Sequence, residues 1–282
     1  MAGRLGHRFS HPRPSHPLSH VPPTQPPQPS QPGASGQGVS PRAGPGALDY
    51  LTLQGQVCLG RADVLIYDAL VDDRLSAQVR PDCELIPVGK RGGLPSTAQA
   101  EINHLLIHHC QGGKQVVRLK SGDPFIFGRA TAEIQALRGA GCDFEVIPGL
   151  SSALAGPLLA GIPLTDPVLS RGFGVFTAHE PEALNWAALA QLPTLVLLMG
   201  GRQLGAIVAQ LLNHGRSPYI PIAIIRWAGQ PQQAVIASTL LEIEQRSQEH
   251  MAQAGWNSLS PCIIVVGEVV SLGEFLRPGP RP

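Results

Sequence analysis

The most informative stretch of this sequence is Arg118-Leu119-Lys120-Ser121-Gly122-Asp123-Pro124-Phe125-Ile126-Phe127-Gly128-Arg129. An apolar, β-prone run ends at Leu119, a Ser-Gly-Asp-Pro turn follows, and a helical pattern begins at Ala130. Open α/β sheets bind ligands beyond the carboxyl ends of their strands, in loops of this kind. The loop also concentrates basic, acidic and aromatic side chains. We therefore predict that it forms part of a binding site.

Strands and helices alternate on both sides of this loop. The hydrophobic pattern predicts strands at 63–67, 83–88, 115–119 and 144–148, and helices at 50–61, 72–79, 98–110 and 130–139. A capping box, Ser96-Thr97-Ala98-Gln99, is expected to open the third of these helices. Such alternation is typical of a parallel sheet with helices on both faces.

The pattern changes after Pro148-Gly149, where a new helix is predicted near Ser151. Strands are predicted near 173–177, 193–198, 221–226, 233–238 and 262–267, with helices near 182–190, 203–213 and 239–252. Some neighbouring strands here have no helix between them, which favours a mixed sheet. We predict an α/β protein with two α/β domains, 42–149 and 150–275, a cofactor cleft between them, and a tail at 276–282.

The first 41 residues differ in composition from the rest of the chain. Residues 1–46 hold eleven of the 28 prolines and four of the ten histidines, and contain no acidic residue. Such a segment cannot bury enough apolar surface to fold, so we predict a disordered tail at 1–41. A transit peptide is the less favoured alternative, because the prolines oppose an amphipathic helix.

Composition also limits the classes of partner. The formal net charge of +1 and the aromatic content of 5% give no case for nucleic-acid binding. Five scattered cysteines lack metal-ligand spacing, so we predict no metal site and no disulfide framework. With no apolar run of membrane-spanning length and no signal-peptide core, the sequence predicts a soluble, cytoplasmic protein without a membrane partner; a plastid location is the alternative if the tail is a transit peptide.

Polar residues follow several predicted strands. Asp68, Lys90 and the loop from 120 to 123 would lie on one edge of a parallel sheet, where a carboxylate and a lysine can serve as base and acid. The alternative is that Asp68 caps a turn and Lys90 is solvated, and spacing alone does not choose between them. By pattern alone, Pro45 belongs to a linker and Met199 to the core.

These residues resemble a known family. The stretch from 118 to 129, Val88-Gly89-Lys90-Arg91, and Ala43-Gly44-Pro45-Gly46 resemble the uroporphyrinogen-III C-methyltransferases, which are tetrapyrrole methylases that use S-adenosylmethionine (SAM). Pro148-Gly149-Leu150-Ser151-Ser152-Ala153 and Gly161-Ile162-Pro163-Leu164-Thr165 also fit, in order. The resemblance covers about residues 43–272.

The resemblance implies a reaction and a set of site residues. It implies a homodimer that methylates uroporphyrinogen III at C2 and C7 to give precorrin-2, with Asp68 as proton acceptor and Lys90 as proton donor. SAM would be held by Pro45, Ser121, Gly122, Asp123, Ile126, Ser151, Ser152, Met199 and Ala228. The eight carboxylates of the substrate require a basic cleft, for which the candidates are Arg91, Lys120, Arg129 and Arg171.

One departure from the family lies upstream. Family members begin with an apolar strand that leads into the glycine-rich turn, whereas this chain has Pro/Ser/Gln-rich sequence there. We therefore expect that the first strand is missing, that residues 1–42 are not the native start, and that stability is weakened. The alternatives to the first function are another precorrin methyltransferase and a SAM- or tetrapyrrole-binding protein with impaired turnover.

Overall fold

A computed structural model of the chain describes residues 37–40 (backbone only), 48–71, 74, 78–89 and 97–276. Several predictions fall outside these residues. They concern residues 1–36 of the expected tail, most of the helix expected at 72–79, the C-terminal tail after 276, and the site candidates Pro45, Lys90 and Arg91.

The first half of the described chain forms one parallel sheet. Its strands are β1 (Gln37–Ser40), β2 (Val64–Tyr67), β3 (Glu84–Pro87), β4 (Val116–Leu119) and β5 (Asp143–Val146). Their spatial order is β3-β2-β4-β1-β5, and every pair of neighbours is parallel. The accompanying helices are a 3₁₀ turn at Leu48–Tyr50, α1 (Leu53–Arg61), α2 (Gln99–Gln111) and α3 (Ala130–Gly139). The predicted parallel sheet is confirmed.

The expectation of a missing first strand is wrong. β1 lies between β4 and β5, with Val39 opposite Val117 on one side and Glu145 on the other. The predicted tail therefore extends too far, since residues 37–40 belong to the sheet. This strand was missed because Gln-Gly-Val-Ser has a single clearly apolar residue, while hydrogen bonding to two neighbours stabilises it in place. The reason for expecting weakened stability and impaired turnover is thereby removed.

Helices cover both faces of this sheet. On one face, Leu59 of α1 packs with Leu65 of β2 and with Val117 and Leu119 of β4. On the other face, side chains of α2 and α3 pack against the alternate residues of the same strands; this cluster includes Val64, Ile66, Ile102, Leu106, Val116 and Leu137. Alternation of side chains along each strand explains the two clusters.

The predicted capping box does not cap α2. The helix begins at Gln99, and Ala98 at its N-cap has no side-chain hydrogen bond to offer. A capping box requires its Glu or Gln three residues after the cap, whereas Gln99 directly follows it. Its amide instead donates to Asn103 Oδ1 at 3.0 Å and to Glu133 Oε1 of α3 at 3.5 Å. The Gln99 side chain therefore links α2 to α3.

The second half forms a mixed five-stranded sheet. Its strands are β6 (Phe173–Thr177), β7 (Thr194–Leu198), β8 (Pro221–Arg226), β9 (Ala234–Thr239) and β10 (Cys262–Val266). In the spatial order β6-β7-β10-β8-β9, β6 and β7 are parallel and the other neighbours are antiparallel, so the predicted mixed sheet is confirmed. The α-helices are α4 (Ser152–Leu159), α5 (Trp186–Leu189), α6 (Leu204–Asn213), α7 (Ile243–Ala254) and α8 (Gly273–Leu276), and 3₁₀ turns occur at Pro181–Ala183, Gly201–Gln203 and Glu268–Leu272.

Helix α4 lies close against the second sheet and carries site residues at its start. A Cβ atom added to Gly156 would lie 2.2 Å from Ile263 Cδ1 of β10, so a larger residue there would force the Ile263 side chain to shift. All described residues from Gln37 onward belong to one compact unit. The domain boundary at 149/150 stays a prediction. Within the described ranges, no helix has both the length and the apolar character needed to span a membrane.

Candidate active site

A cavity of about 450 Å³ lies where loops from both halves of the chain meet. Its lining follows the carboxyl ends of several strands: Leu70 comes after β2, Ser121 after β4, His179 after β6, Met199 after β7 and Trp227 after β8. The remaining lining residues are Ile126, Phe127, Ser152, Leu198, Arg202, Gln203, Ile225, Ala228, Gln230, Ser260, Pro261, Cys262 and Ile263. A cavity of this size and mixed lining is suited to a small-molecule ligand.

Five residues predicted to hold SAM line this one cavity. They are Ser121, Ile126, Ser152, Met199 and Ala228, which are far apart in the sequence. Ser121 and Ile126 come from the loop between β4 and α3, Ser152 begins α4, and the other two follow strands of the second sheet. The fold therefore brings together residues that spacing alone could not connect.

Three further predicted residues shape the backbone beside this cavity. Gly122 has a φ of +87°, and a Cβ atom added there would lie 3.9 Å from Ser152 N. Asp123 Oδ1 accepts a hydrogen bond from Phe125 N at 2.9 Å, which tightens the turn. Ser151 Oγ accepts from Ala153 N at 3.3 Å and so caps α4. These three residues maintain the two loops that carry Ser121 and Ser152.

Backbone strain concentrates at the cavity. Phe127, Met199 and Trp227 line it and have φ values of 51°, 58° and 49° respectively. Residues with side chains rarely adopt this left-handed region, and when they do, the strain tends to lie at functional sites. Sequence reasoning missed Phe127 and Trp227, because positive φ values at these residue types leave no compositional signal.

Asp68 follows β2 and is held by an arginine of the neighbouring strand. Arg118 of β4 donates from a terminal guanidinium nitrogen to Asp68 Oδ1 at 2.5 Å. The arginine is buried, whereas the Asp68 side chain is 32% exposed. Asp68 is thus a fixed carboxylate that still reaches the open edge of the sheet.

The ends of β2 and β3 are in direct contact. A Cβ atom added to Gly89 would lie 2.0 Å from the backbone nitrogen of Ala69. The two backbone segments can therefore approach this closely only because residue 89 is glycine. Ala69 directly follows Asp68, and Gly89 directly precedes Lys90 in the sequence. This contact supports the predicted proximity of the two residues, although Lys90 itself lies outside the described part of the chain.

Lys120 points to a buried carboxylate and not to the cleft. Its Nζ donates to Glu133 Oε1 at 2.8 Å, and Arg118 Nε donates to the same oxygen at 3.3 Å. Burial lowers the pKa of the Lys120 ammonium, and the neighbouring Arg118 cation lowers it further, while Glu133 opposes both effects. The structure therefore does not present Lys120 to a substrate.

Glu133 was missed by the sequence reasoning, although a signal was present. Ala130, Glu133 and Leu137 are spaced by three and four residues and are all buried on one face of α3. A lone glutamate on the apolar face of a helix requires a buried partner. The nearby basic residues at the end of β4 satisfy that requirement.

The remaining basic candidates lie on the surface. Arg129 directly precedes α3, and Arg171 lies in the loop just before β6. Both residues are exposed, and neither lines the cavity. Two other basic side chains, His179 and Arg202, do line it. They were not proposed as ligand contacts from the sequence, although both lie just beyond the carboxyl end of a strand.

Cys262 lines the cavity but has little nucleophilic character. Burial raises the pKa of its thiol to about 12, and the nearby Arg226 cation only partly offsets this increase. The thiolate is the reactive form of cysteine. Cys262 therefore remains a neutral thiol at physiological pH.

The sequence profile of the Tetrapyrrole (Corrin/Porphyrin) Methylases matches residues 43–244, and the chain belongs to this family. More particularly, it is 60% identical over 233 residues to the uroporphyrinogen-III C-methyltransferase of Synechococcus elongatus, an alignment that covers 83% of this chain and 93% of that protein. The uroporphyrinogen-III C-methyltransferase of Bacillus subtilis is 39% identical over 235 residues; 81% of this chain aligns with 47% of that protein, so the chain spans about half of its length.

Solved structures agree with this assignment. The uroporphyrin-III-C-methyltransferase from Thermus thermophilus has a TM-score of 0.73 and 36% identity, covering 88% of this chain and 99% of that one. A structure of the Thermus thermophilus enzyme complexed with S-adenyl homocysteine has a TM-score of 0.70 and 34% identity, covering 84% and 100%. The family resemblance and the fold class predicted from the sequence are confirmed.

Proposed function

We propose that this chain is a SAM-dependent C-methyltransferase that methylates uroporphyrinogen III at C2 and C7, giving precorrin-2 for sirohaem or cobalamin synthesis. The observation that carries the proposal is the cavity, which collects Ser121, Ile126, Ser152, Met199 and Ala228 from four separate segments. The 60% identity to a uroporphyrinogen-III C-methyltransferase supports the same conclusion.

The cavity fits a SAM-sized ligand. Its volume is about 450 Å³, and its lining includes the apolar side chains of Ile126 and Met199 and the hydroxyl groups of Ser121 and Ser152. Residues 121–123, 126, 151, 152, 199 and 228 would hold the donor, and Pro45 remains a predicted contact. When bound, SAM supplies a methyl group made electrophilic by its sulfonium. The strained loops orient the donor and exclude water from it.

Proton transfer is assigned to Asp68. An electron-rich pyrrole carbon that attacks a methyl group leaves the macrocycle with protons to redistribute, which requires a positioned base. Asp68 is anchored through Oδ1 by Arg118 and is partly exposed at the sheet edge. Lys90 as proton donor remains part of the proposal, supported by the contact between Gly89 and Ala69.

Recognition of the substrate carboxylates requires cations on the surface of the cleft. Arg129 and Arg171 are exposed, and Arg91 remains a predicted contact. Lys120 is withdrawn from this set because its ammonium is buried against Glu133. Arg202 and His179 replace it as candidates, since both line the cavity.

The proposal includes a homodimer. Leu154 and Leu158 lie about one turn apart on α4 and are 51% and 71% exposed, and Leu150, which precedes the helix, is 48% exposed. Residues four apart lie on the same side of a helix, and exposed apolar surface commonly marks a protein interface. We assign the leucine stripe of α4, defined as Leu154 and Leu158, to the contact between two copies of the chain.

Cellular setting completes the proposal. None of the five cysteines, all within the described ranges, is in a disulfide, which supports a reducing compartment such as the cytoplasm. The formal charge of +1 gives no reason to add a nucleic acid or a membrane surface as a partner. The proposed reaction uses no metal, because the sulfonium of SAM itself activates the methyl group.

The competing function is methylation of a later precorrin. A cobalt precorrin-4 methyltransferase structure has a TM-score of 0.74 but only 25% identity, against 36% for the uroporphyrin-III-C-methyltransferase. Purified chain is incubated with SAM and either uroporphyrinogen III or cobalt precorrin-4, without oxygen, and the products are analysed by mass spectrometry. Methylation of uroporphyrinogen III alone supports the proposal, whereas methylation of cobalt precorrin-4 alone overturns it.

A further inference from the structure

We propose that Glu133 is a positioning residue that acts through Arg118 to aim the Asp68 carboxylate. The inference rests on the proposed function in one respect, namely that Asp68 is the proton acceptor. It assigns a purpose to a buried acidic residue that the proposed chemistry does not otherwise use.

A single oxygen of Glu133 connects three elements. Its Oε1 accepts from Lys120 Nζ at 2.8 Å, from Arg118 Nε at 3.3 Å, and from the Gln99 amide at 3.5 Å. Arg118, Lys120 and Glu133 are each less than a tenth exposed. A carboxylate bonded in this way cannot move without breaking contacts to β4 and α2.

Glu133 and backbone carbonyls fix the guanidinium of Arg118. Its Nε bonds Glu133, while one terminal nitrogen bonds the carbonyls of Leu119 at 3.1 Å and Ile66 at 3.4 Å. The other terminal nitrogen donates to Asp68 Oδ1 at 2.5 Å. Because the guanidinium is planar, anchoring one side sets the direction of the other.

The linked side chains of Glu133, Arg118 and Asp68 extend from the protein interior to the surface. Glu133 is 3% exposed, whereas the Asp68 side chain is 32% exposed, so only the Asp68 end can meet a substrate. The charged groups facing Asp68 from the described elements include Arg118 and, behind it, Lys120 and Glu133. In this set two cations are balanced by two carboxylates.

Loss of the Glu133 charge would change both the aim and the electrostatics of Asp68. A neutral amide at this position could still accept a hydrogen bond, but the charge-assisted bonds to Arg118 Nε and Lys120 Nζ would weaken, and two buried cations would face one carboxylate. A purely structural role for Glu133 would lower stability without lowering the kcat of the folded protein.

The test compares Glu133→Gln and Glu133→Asp with Glu242→Gln, a matched substitution of a glutamate that bonds Ser238 on the surface. We expect Glu133→Gln to lower kcat by about tenfold or more while the KM for uroporphyrinogen III and the Kd for S-adenosylhomocysteine change by less than about threefold. Glu133→Asp should recover part of the lost kcat, and Glu242→Gln should behave as wild type.

A folded Glu133→Gln protein with wild-type kcat overturns the inference. If that variant does not fold, Glu133→Gln combined with Lys120→Met removes one buried charge of each sign, an exchange that buried pairs tolerate better. Its kcat should still be at least about tenfold low, because Arg118 has lost its charged partner, and a wild-type kcat in this double variant overturns the inference.

Failure of the proposed function is recognised separately. A wild-type chain that binds S-adenosylhomocysteine but methylates no tetrapyrrole contradicts the function and not the positioning. In that case, a crystal structure of Glu133→Gln decides: loss of the contact between Arg118 and Asp68 supports the inference, and its retention overturns it.

Discussion

At the cavity, residues other than glycine have positive φ values, a backbone conformation that glycine would adopt without strain. Met199 has a φ of 58° and Trp227 of 49°, and both face the cavity. Strain of this kind costs on the order of 1–3 kcal/mol per residue and persists only where the surrounding structure enforces it. The side chains at these positions therefore contribute something that glycine could not, which we identify as the apolar walls of the donor site.

Ile126 tests this view of the cavity at single-residue level. Ile126→Ala should weaken the binding of S-adenosylhomocysteine by roughly tenfold, since about 1–2 kcal/mol of apolar contact is lost. Stability should fall by less than about 1 kcal/mol, because the Ile126 side chain is 44% exposed. Isothermal titration calorimetry and chemical unfolding provide the two readouts.

The control is the neighbouring Phe125. Its side chain is 62% exposed and does not line the cavity, so Phe125→Ala should leave the Kd unchanged. Equal losses of affinity in the two variants would show that the loop acts only as a whole.

Cys262 should be unreactive although it faces the cavity. With its thiol pKa raised to about 12, the thiolate is scarce at pH 8, and alkylation by iodoacetamide should be about a thousandfold slower than for an unperturbed cysteine. The rate should rise with pH throughout the range from 7 to 10, because the pKa lies above it. Peptide mass spectrometry measures the rate, and labelling as fast as in the unfolded chain would contradict the prediction.

Most elements could be predicted from the sequence, and the exceptions have physical causes. The strand Val116–Leu119 and the helix Ala130–Gly139 have the expected periodicity and end at clear turn signals. β1 has no such periodicity, since its place depends on hydrogen bonds from strands distant in sequence. The prediction of a capping box at 96–99 failed because α2 begins at Gln99 with Ala98 as its N-cap, so Gln99 is not three residues after the cap.

The site was predictable only in part, for the same reason. Ser121, Ser152 and Met199 were proposed through family resemblance, and the fold brings them to one cavity. Their proximity depends on how the two sheets pack. The spacing of these residues in the sequence carries no information about that packing. Lys120 was assigned to the substrate because its carboxylates require basic residues in the cleft, whereas here Glu133 holds Lys120 in the interior.

The position of β1 inside the sheet predicts how a proline substitution in this strand changes the stability of the protein. Val39→Pro should destabilise the protein by at least about 2 kcal/mol, because a strand paired on both sides loses a ladder hydrogen bond and leaves a carbonyl unsatisfied. Urea unfolding measures the change. An unchanged unfolding midpoint would mean that residues 37–40 do not form a strand within the sheet.

Leu85→Pro is the matched control on the edge strand β3. The Glu84 N–H donates to the carbonyl of Asp63, just before β2, and the Val88 N–H donates to the carbonyl of Tyr67 in β2, so the alternation along the strand directs the N–H of Leu85 away from the sheet. Proline is tolerated at such positions, as Pro87 in the same strand already illustrates. The destabilisation should therefore be clearly smaller than for Val39→Pro.

At the scale of the whole molecule, the site depends on both halves of the chain. Asp68 and Ser121 follow strands of the first sheet, whereas Met199 and Ala228 follow strands of the second. Neither half alone contains both the carboxylate and the complete cavity wall. Methyl transfer should accordingly be sensitive to any change that separates the two sheets.

The leucine stripe of α4 predicts the state of assembly. Leu154→Glu places a charge in the stripe and should convert a dimer to a monomer, as measured by size-exclusion chromatography with light scattering. Leu241→Glu, at an exposed leucine beyond β9, should leave the dimer intact. A wild-type chain that is monomeric at micromolar concentration would contradict the assignment.

The most direct test of the central claim counts methyl groups. Wild-type chain and Asp68→Ala are each incubated with uroporphyrinogen III and SAM carrying an isotopically labelled methyl group, and the product mass is measured. We predict two labelled methyl groups on each tetrapyrrole for the wild type, and a decrease of about a hundredfold in rate for Asp68→Ala with nearly unchanged S-adenosylhomocysteine binding. A wild-type chain that binds S-adenosylhomocysteine but transfers no methyl group, or an Asp68→Ala variant with full turnover, would contradict the account.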